Sequence, residues 1–369
     1  MTGTDADIEL KMRMQKILWA LGYYTRIGVR IAAGQGQAKR STGRSTVFEL
    51  TDIDVLGIRV GADLSVEYIV ADCTTRTSIS PINRAFWLRG VMEYFSAGRG
   101  YILLTRDIPD YQKVIASRLG ITLLDEQNLR RLEETYGGTG WPAHIGDPNA
   151  YKYLEGNISQ LTKELRPLLD YREHEFWLNE PGRNVLRSIS VVQRLRESLL
   201  PEQKFHKVVF VDMLTLFCLA LLELCGHVFR TSPNDFPNAV RSFVFGGPSG
   251  LRTRESLLKE LQEVVDKIAT QRAMPLGEDL AQRFRLDPPY FDRLVERAFR
   301  LINKPHEAKD VLRYLQAVLL EQTLFEGTGL AQIFTGTFSE ITFKFVGDLA
   351  LFYLEATGVK PSLMPALVA

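Results

Sequence analysis

The chain has 369 residues, 45% of them apolar and 24% charged, with a net charge of +1. That length leaves room for two or three domains, and the composition is that of a globular chain, not a disordered or fibrous one. The near-zero charge balance excludes a strong overall pull toward nucleic acid or membrane, so any such patch must be local. The three cysteines, Cys73, Cys218 and Cys225, form no CxxC pair and sit in apolar runs, which fits buried thiols in a cytoplasmic protein better than a disulfide framework.

Helix and strand signals alternate over residues 1–135. Residues 8–22 carry apolar side chains at helical spacing (Ile8, Met12, Ile17, Leu18, Leu21), with Asp5 or Asp7 as cap and Gly22 as stop. The opening MTGTDADIELK has early acids and no apolar segment, so no secretory signal is expected. Residues 23–32 read as a strand, and AGQGQAKRSTGRST (33–46) as a polar loop. Strands are expected at 47–60 and 66–75, joined by the turn GADLS. Ser80 and Pro81 announce a helix over NRAFWLRGVMEYF. A strand at 101–105, a helix at 111–119, a strand at 121–124 and a helix at 126–134 follow. This order predicts a mixed α/β sheet flanked by helices.

Glycine and proline cluster in YGGTGWPAHIGDP, so a linker is placed at 136–150. Beyond it, 151–369 reads as a helical domain, with amphipathic patterns at 151–169, 185–200, 208–229, 253–271, 290–302, 308–325 and 343–355. VVFVDMLTLFCLALLELCGHVF (208–229) has membrane-spanning length. Asp212, Glu223 and His227 lie inside it, and such residues are costly in a bilayer, so a buried core helix is expected and no membrane.

The strands around GADLS can be paired on paper. A hairpin symmetric about Asp63 sets Asp54 opposite Asp72 and Asp52 opposite Thr74, all four on one face. Directly opposed Cβ atoms lie roughly 5 Å apart. Two carboxylates that close need a proton, an arginine or lysine, or a divalent cation between them. Mg²⁺, which takes one or two protein carboxylates and completes its shell with water and phosphate oxygens, suits such a pair. The simpler reading is a solvated strand end whose acids block edge pairing.

The helix ending ALGYYTR, then ELTDIDVLGIRV, EYIVADCTT, a helix, and YILLTRDIPDYQKVIASRLGITLLDEQNLRRL resemble the restriction-endonuclease-like PD-(D/E)XK superfamily, in its Mrr-like and Holliday-junction-resolvase-like branches. The resemblance covers residues 1–135. It implies Asp54 as the first acid and Asp72 as the second, holding Mg²⁺ or Mn²⁺, with Cys73 as X and Thr74 where the family has its lysine. A threonine carries no cation for the charge that develops at phosphorus, and losing one costs several orders of magnitude in rate. Lys39, Arg76 and Arg84 are the candidates to supply it from elsewhere, and Glu9 a weaker candidate for a third carboxylate.

No acid occurs between Lys11 and Phe48, while Lys11, Arg13, Lys16, Arg26, Arg30, Lys39, Arg40 and Arg44 do. This asymmetry, with Arg76 and Arg84, marks a candidate phosphate-binding surface beside Asp54. FVFGGPSGLRTRES lacks the spacing of a phosphate loop and reads as a loop before a helix. EDLAQRFRLDPPYFDRLVERA has the outline of a helix-turn-helix that any paired amphipathic helices would share. The expectation is a nuclease-like domain, reduced in or without catalysis, that binds DNA or RNA within a processing or phage-defence complex. The helical domain would mediate protein contact or self-association. An active metal-dependent endonuclease with a displaced cation, and a helical scaffold with no nucleic acid, are the alternatives.

Overall fold

The computed structural model describes residues 5–34, 47–76, 80–137, 142–161, 163–231, 234–271, 286–325 and 327–368, with backbone only at 32–34, 47–50 and 269–271. The basic loop, with Lys39, Arg40 and Arg44, lies outside the described residues, as does the first half of the helix-turn-helix outline.

The N-terminal part runs α1 (Asp5–Ala20), β1 (Tyr24–Gly34), β2 (Val47–Val60), β3 (Val66–Thr74), α2 (Pro81–Phe95), β4 (Arg99–Leu104), α3 (Asp110–Arg118), β5 (Ile121–Leu124) and α4 (Glu126–Tyr136). The strands form one sheet in the order β1-β2-β3-β4-β5. β1, β2 and β3 are antiparallel, and β3, β4 and β5 are parallel. A parallel step needs a crossover, and α2 and α3 supply it. Ser80 caps α2 through the Asn83 N–H, with Pro81 in the first turn. Asp125 caps α4 through the Asn128 N–H.

The central strands are buried on both faces, as near-continuous apolar runs require. Val55, Ile69, Ala71, Cys73 and Leu103 pack under α1 and α4, against Leu10, Met14, Ile17, Leu18 and Leu129. Leu56, Ile58, Val70 and Ile102 belong to a second core that continues without a break into the helical part. The two parts therefore share one interior.

The helical part begins with α5 (Pro148–Ile158), and its main helices are α6 (Pro181–Arg194), α7 (Lys204–Thr231), α8 (Phe236–Val244), α9 (Gly247–Gln271), α10 (Phe291–Ile302), α11 (Val311–Ala317) and α12 (Glu340–Thr357). The apolar stretch expected to be a core helix is α7. Among the described residues it alone is long and apolar enough to cross a membrane, and 94% of its most apolar window is buried inside the protein. A helix apolar all round belongs at the centre of a fold when other helices surround it. Gly226 lets the β2–β3 turn come against it, since a Cβ there would stand 2.1 Å from the Leu64 carbonyl oxygen.

Two of the long helical patterns are broken. The first, at 151–169, stops at Ile158 and resumes as short turns at Lys163–Leu165 and Arg166–Asp170. Pro167 sits in the first turn of the latter, where its missing N–H costs nothing. The second, at 308–325, is interrupted at Lys309–Asp310 and ends in π-helical turns at Val318–Leu324. The glycine-rich stretch read as a loop is largely the start of α9. Gly246 and Gly247 take φ of +87° and +81°, so the chain turns sharply and enters the helix through Pro248. α10, the second half of the helix-turn-helix outline, buries Phe291, Leu294, Ala298 and Leu301 in the core.

Candidate acidic site at the end of the central strands

The hairpin has the register expected from symmetry about Asp63: Val60 faces Val66, and the pairing runs without a bulge to Val55 opposite Ala71. The strands part at the next step. Asp54 does not continue the ladder there; its carboxylate Oδ2 accepts the Cys73 N–H at 2.7 Å. Asp72 is almost fully buried, and Thr74 and Cys73 are buried beside it. The strand end thus carries two carboxylates in a largely water-excluded setting.

Each acid has its own cation. Lys11 Nζ, from α1, lies 2.6 Å from Asp54 Oδ1, and both side chains are mostly buried. Arg84, from the first turn of α2, forks onto Asp72, with Nε to Oδ2 at 2.6 Å and Nη2 to Oδ1 at 2.5 Å. Its guanidinium also rests 3.8 Å from the centre of the Trp87 ring, so stacking and a bidentate bond hold it in one place.

Helix α1 is pinned where Lys11 can act. Asp7 Oδ1 accepts both the N–H and the hydroxyl of Thr75, at 2.9 and 2.6 Å. Asp7 and Lys11 are one turn apart on the same face of α1, so the bond to the end of β3 sets the bond to Asp54. Thr74, at the family's lysine position, uses its hydroxyl to accept the Arg76 N–H at 3.2 Å. It shapes the chain's exit from β3 and brings no charge to the acids.

Burial pushes the Asp54 carboxyl up to about 6; Lys11 pulls the other way, and the Asp72 charge adds to the rise. Burial also works against the Lys11 ammonium, but Asp54 outweighs it and the Lys11 pKa is raised. The hydrogen bond to Asp72 raises the Arg84 pKa. Burial, with both aspartates nearby, pushes the Cys73 thiol well above its usual range, so it is no nucleophile.

Among the described residues, no group of three or more His, Cys, Asp or Glu side chains is placed to hold a metal, so a divalent ion here would rest on Asp54 and Asp72. All four of their oxygens are engaged, by Lys11, the Cys73 N–H and Arg84. A divalent ion between them would have to share those oxygens with Lys11 and Arg84, whose positive charges oppose it.

The other residues singled out by sequence go different ways. Asp52 is exposed on β2, opposite Arg30 of β1. Glu9 is exposed on α1, two residues from the side chain that does reach the acids. Arg76 is exposed at the strand end, and Arg30 is 46% exposed, 3.8 Å from Glu173. Arg26 is turned inward: its guanidinium forks onto Asp212 of α7 at 2.7 and 3.0 Å, with Arg172 bonded to the same carboxylate. A side chain held there is not available to a phosphate. Lys11 was legible in the sequence only as one member of the basic stretch. The signal that singles it out is its one-turn spacing from Asp7.

The outer edge of β1 and the face of β3 close against the helical part. Thr25 exchanges backbone bonds with the Gln316 side chain at 3.0 and 2.9 Å, and Tyr68 of β3 donates to Glu223 of α7 at 2.6 Å. The cavity left at this seam is about 80 Å³, enough for ordered water and too small for a nucleotide. The chain matches no family model, no curated protein and no solved structure.

Proposed function

We propose that the N-terminal part is a nuclease-like domain of the PD-(D/E)XK kind that has given up catalysis and holds DNA or RNA, as a subunit of a processing or defence complex. The observation that carries this reading is the double neutralisation of the acids, Asp54 by Lys11 and Asp72 by Arg84. Two carboxylates near enough to repel each other create a demand for positive charge, and here protein cations meet it. The exposed Arg76 and Arg30 border the same strand ends, with the basic stretch containing Lys39, Arg40 and Arg44 between β1 and β2 in sequence.

The test is binding of labelled single-stranded and duplex DNA and RNA as a function of salt. Affinity that falls linearly on a log–log plot supports phosphate contact, and each contacting cation removed lowers the slope by about one. Arg30→Ala and Arg76→Ala should each do so. No binding to any of these substrates overturns the reading and leaves a protein-interaction scaffold.

A second reading has an observation of its own. Lys11 stands at the first acid, and an acid–acid–lysine set is the one that phosphodiester hydrolysis uses in this superfamily. In that reading the chain is an active nuclease whose lysine has moved from β3 to α1. Metal-dependent cutting lost in both Lys11→Ala and Asp72→Ala would establish it.

A further inference from the structure

Helix α9 is buried at Leu251 and then runs largely in solvent. Along it stand Leu257 (55% exposed), Leu261 (45%), Val264 (52%) and Ile268 (48%). Single exposed apolar residues are ordinary, whereas a contiguous stripe marks an interaction surface. The spacing of four, three and four residues keeps these side chains on one side of the helix, as in the seam of a two-stranded coiled coil. Leu258 and Val265, next to the stripe, are already partly covered, so the stripe is not the face by which α9 meets its own chain.

We infer that this stripe is the contact of a homodimer in which α9 packs antiparallel against α9 of a second copy. The charges at its edge choose the partner and the direction. Glu260 and Lys267 are exposed, and each precedes a seam residue by one position, on the same flank. With a two-fold axis between Gln262 and Glu263, Leu257 meets Ile268 of the other copy and Leu261 meets Val264. Glu260 then meets Lys267, and symmetry repeats every pair. A parallel pairing sets Glu260 beside Val265 and gives it no cation. The antiparallel overlap runs from Arg254 to Gln271, within the helix. It also sets the two bodies at opposite ends of the pair. This surface is independent of the acidic site.

The experiment is sedimentation of the full chain over a micromolar dilution series, with helical content followed by circular dichroism. Wild type is expected to be a dimer. Leu261→Glu, Glu260→Lys and Lys267→Glu are expected to be folded monomers, and Glu263→Lys, on the outer flank, to remain dimeric. An equimolar mixture of Glu260→Lys and Lys267→Glu regains both ion pairs and should dimerise at least ~tenfold more tightly than either alone. A monomeric wild type overturns the proposal, as does a dimer untouched by Leu261→Glu. A mixture that does not reassociate overturns the antiparallel register.

Discussion

Lys11 reaches Asp54 at 2.6 Å from a helix, not from the strand that carries Asp72. Removing it leaves a buried carboxylate beside another with only the Cys73 N–H to satisfy it. Lys11→Met should therefore cost about 2–4 kcal/mol in urea unfolding at pH 8. The loss should shrink at lower pH. The Asp54 carboxyl, usually at 3.8, sits at about 6 in the fold, so the native state holds this proton more tightly than the unfolded chain does. Stability from the group is complete below the unfolded value and is lost as pH rises through about 6. Without Lys11 that window moves upward.

Arg84 occupies both oxygens of Asp72. Arg84→Ala should free them and leave Asp72 without its cation, while Lys11 still holds Asp54. Calorimetric titration with Mn²⁺ should then show binding at least ~tenfold tighter than in wild type. Equal affinity in the two proteins would mean that Arg84 does not compete with a metal.

Asp212 holds Arg26 and Arg172 together where the sheet meets α7. Burial opposes its charge, but the two arginines prevail and hold its carboxyl down at about 2. Asp212→Ala takes the carboxylate from buried Arg26 and leaves Arg172 only its longer contacts to Glu155 and Glu173, and should cost about 3–5 kcal/mol, measured by urea unfolding at neutral pH. In wild type this contribution is complete above the unfolded carboxyl value and is lost only as pH falls through about 2.

Glu223 shows the opposite sign. Burial lifts its carboxyl from 4.5 to about 7, with the Tyr68 hydroxyl pulling it back. Its stabilising proton is lost as pH rises through about 7. Glu223→Gln keeps an acceptor for Tyr68 without the charge, so it should stabilise the protein by about 1–2 kcal/mol at pH 8 and by less at pH 5. Thermal melts at the two pH values check this; equal effects at both would contradict it.

The sheet was legible because its signals are local. Alternation around GADLS and the symmetry of the turn set the register from Val60–Val66 to Val55–Ala71. Ser80–Pro81 and Asp125 mark their helices by capping chemistry alone. The two aspartates were legible at the ends of these strands for the same reason, although the ladder stops one step short of setting them opposite each other. Their partners were not. Nothing in the spacing of Lys11 from Asp54 shows that α1 crosses the strand end, because that depends on how a helix lies on a sheet. Arg26 illustrates the converse. Its place in an acid-free stretch suggested a phosphate, whereas its actual partner, Asp212, is 186 residues away. The single interior shared by the sheet and the helices also arises from tertiary packing, which no window along the chain reports.

The central claim is that an acid pair neutralised by Lys11 and Arg84 does not cut nucleic acid. Its most direct test is prolonged incubation of excess protein with plasmid, single-stranded DNA and RNA in Mg²⁺ or Mn²⁺, beside Asp72→Ala. The account predicts intact substrate, with wild type and variant indistinguishable. Cleavage by wild type that requires the metal and disappears in Asp72→Ala would contradict it.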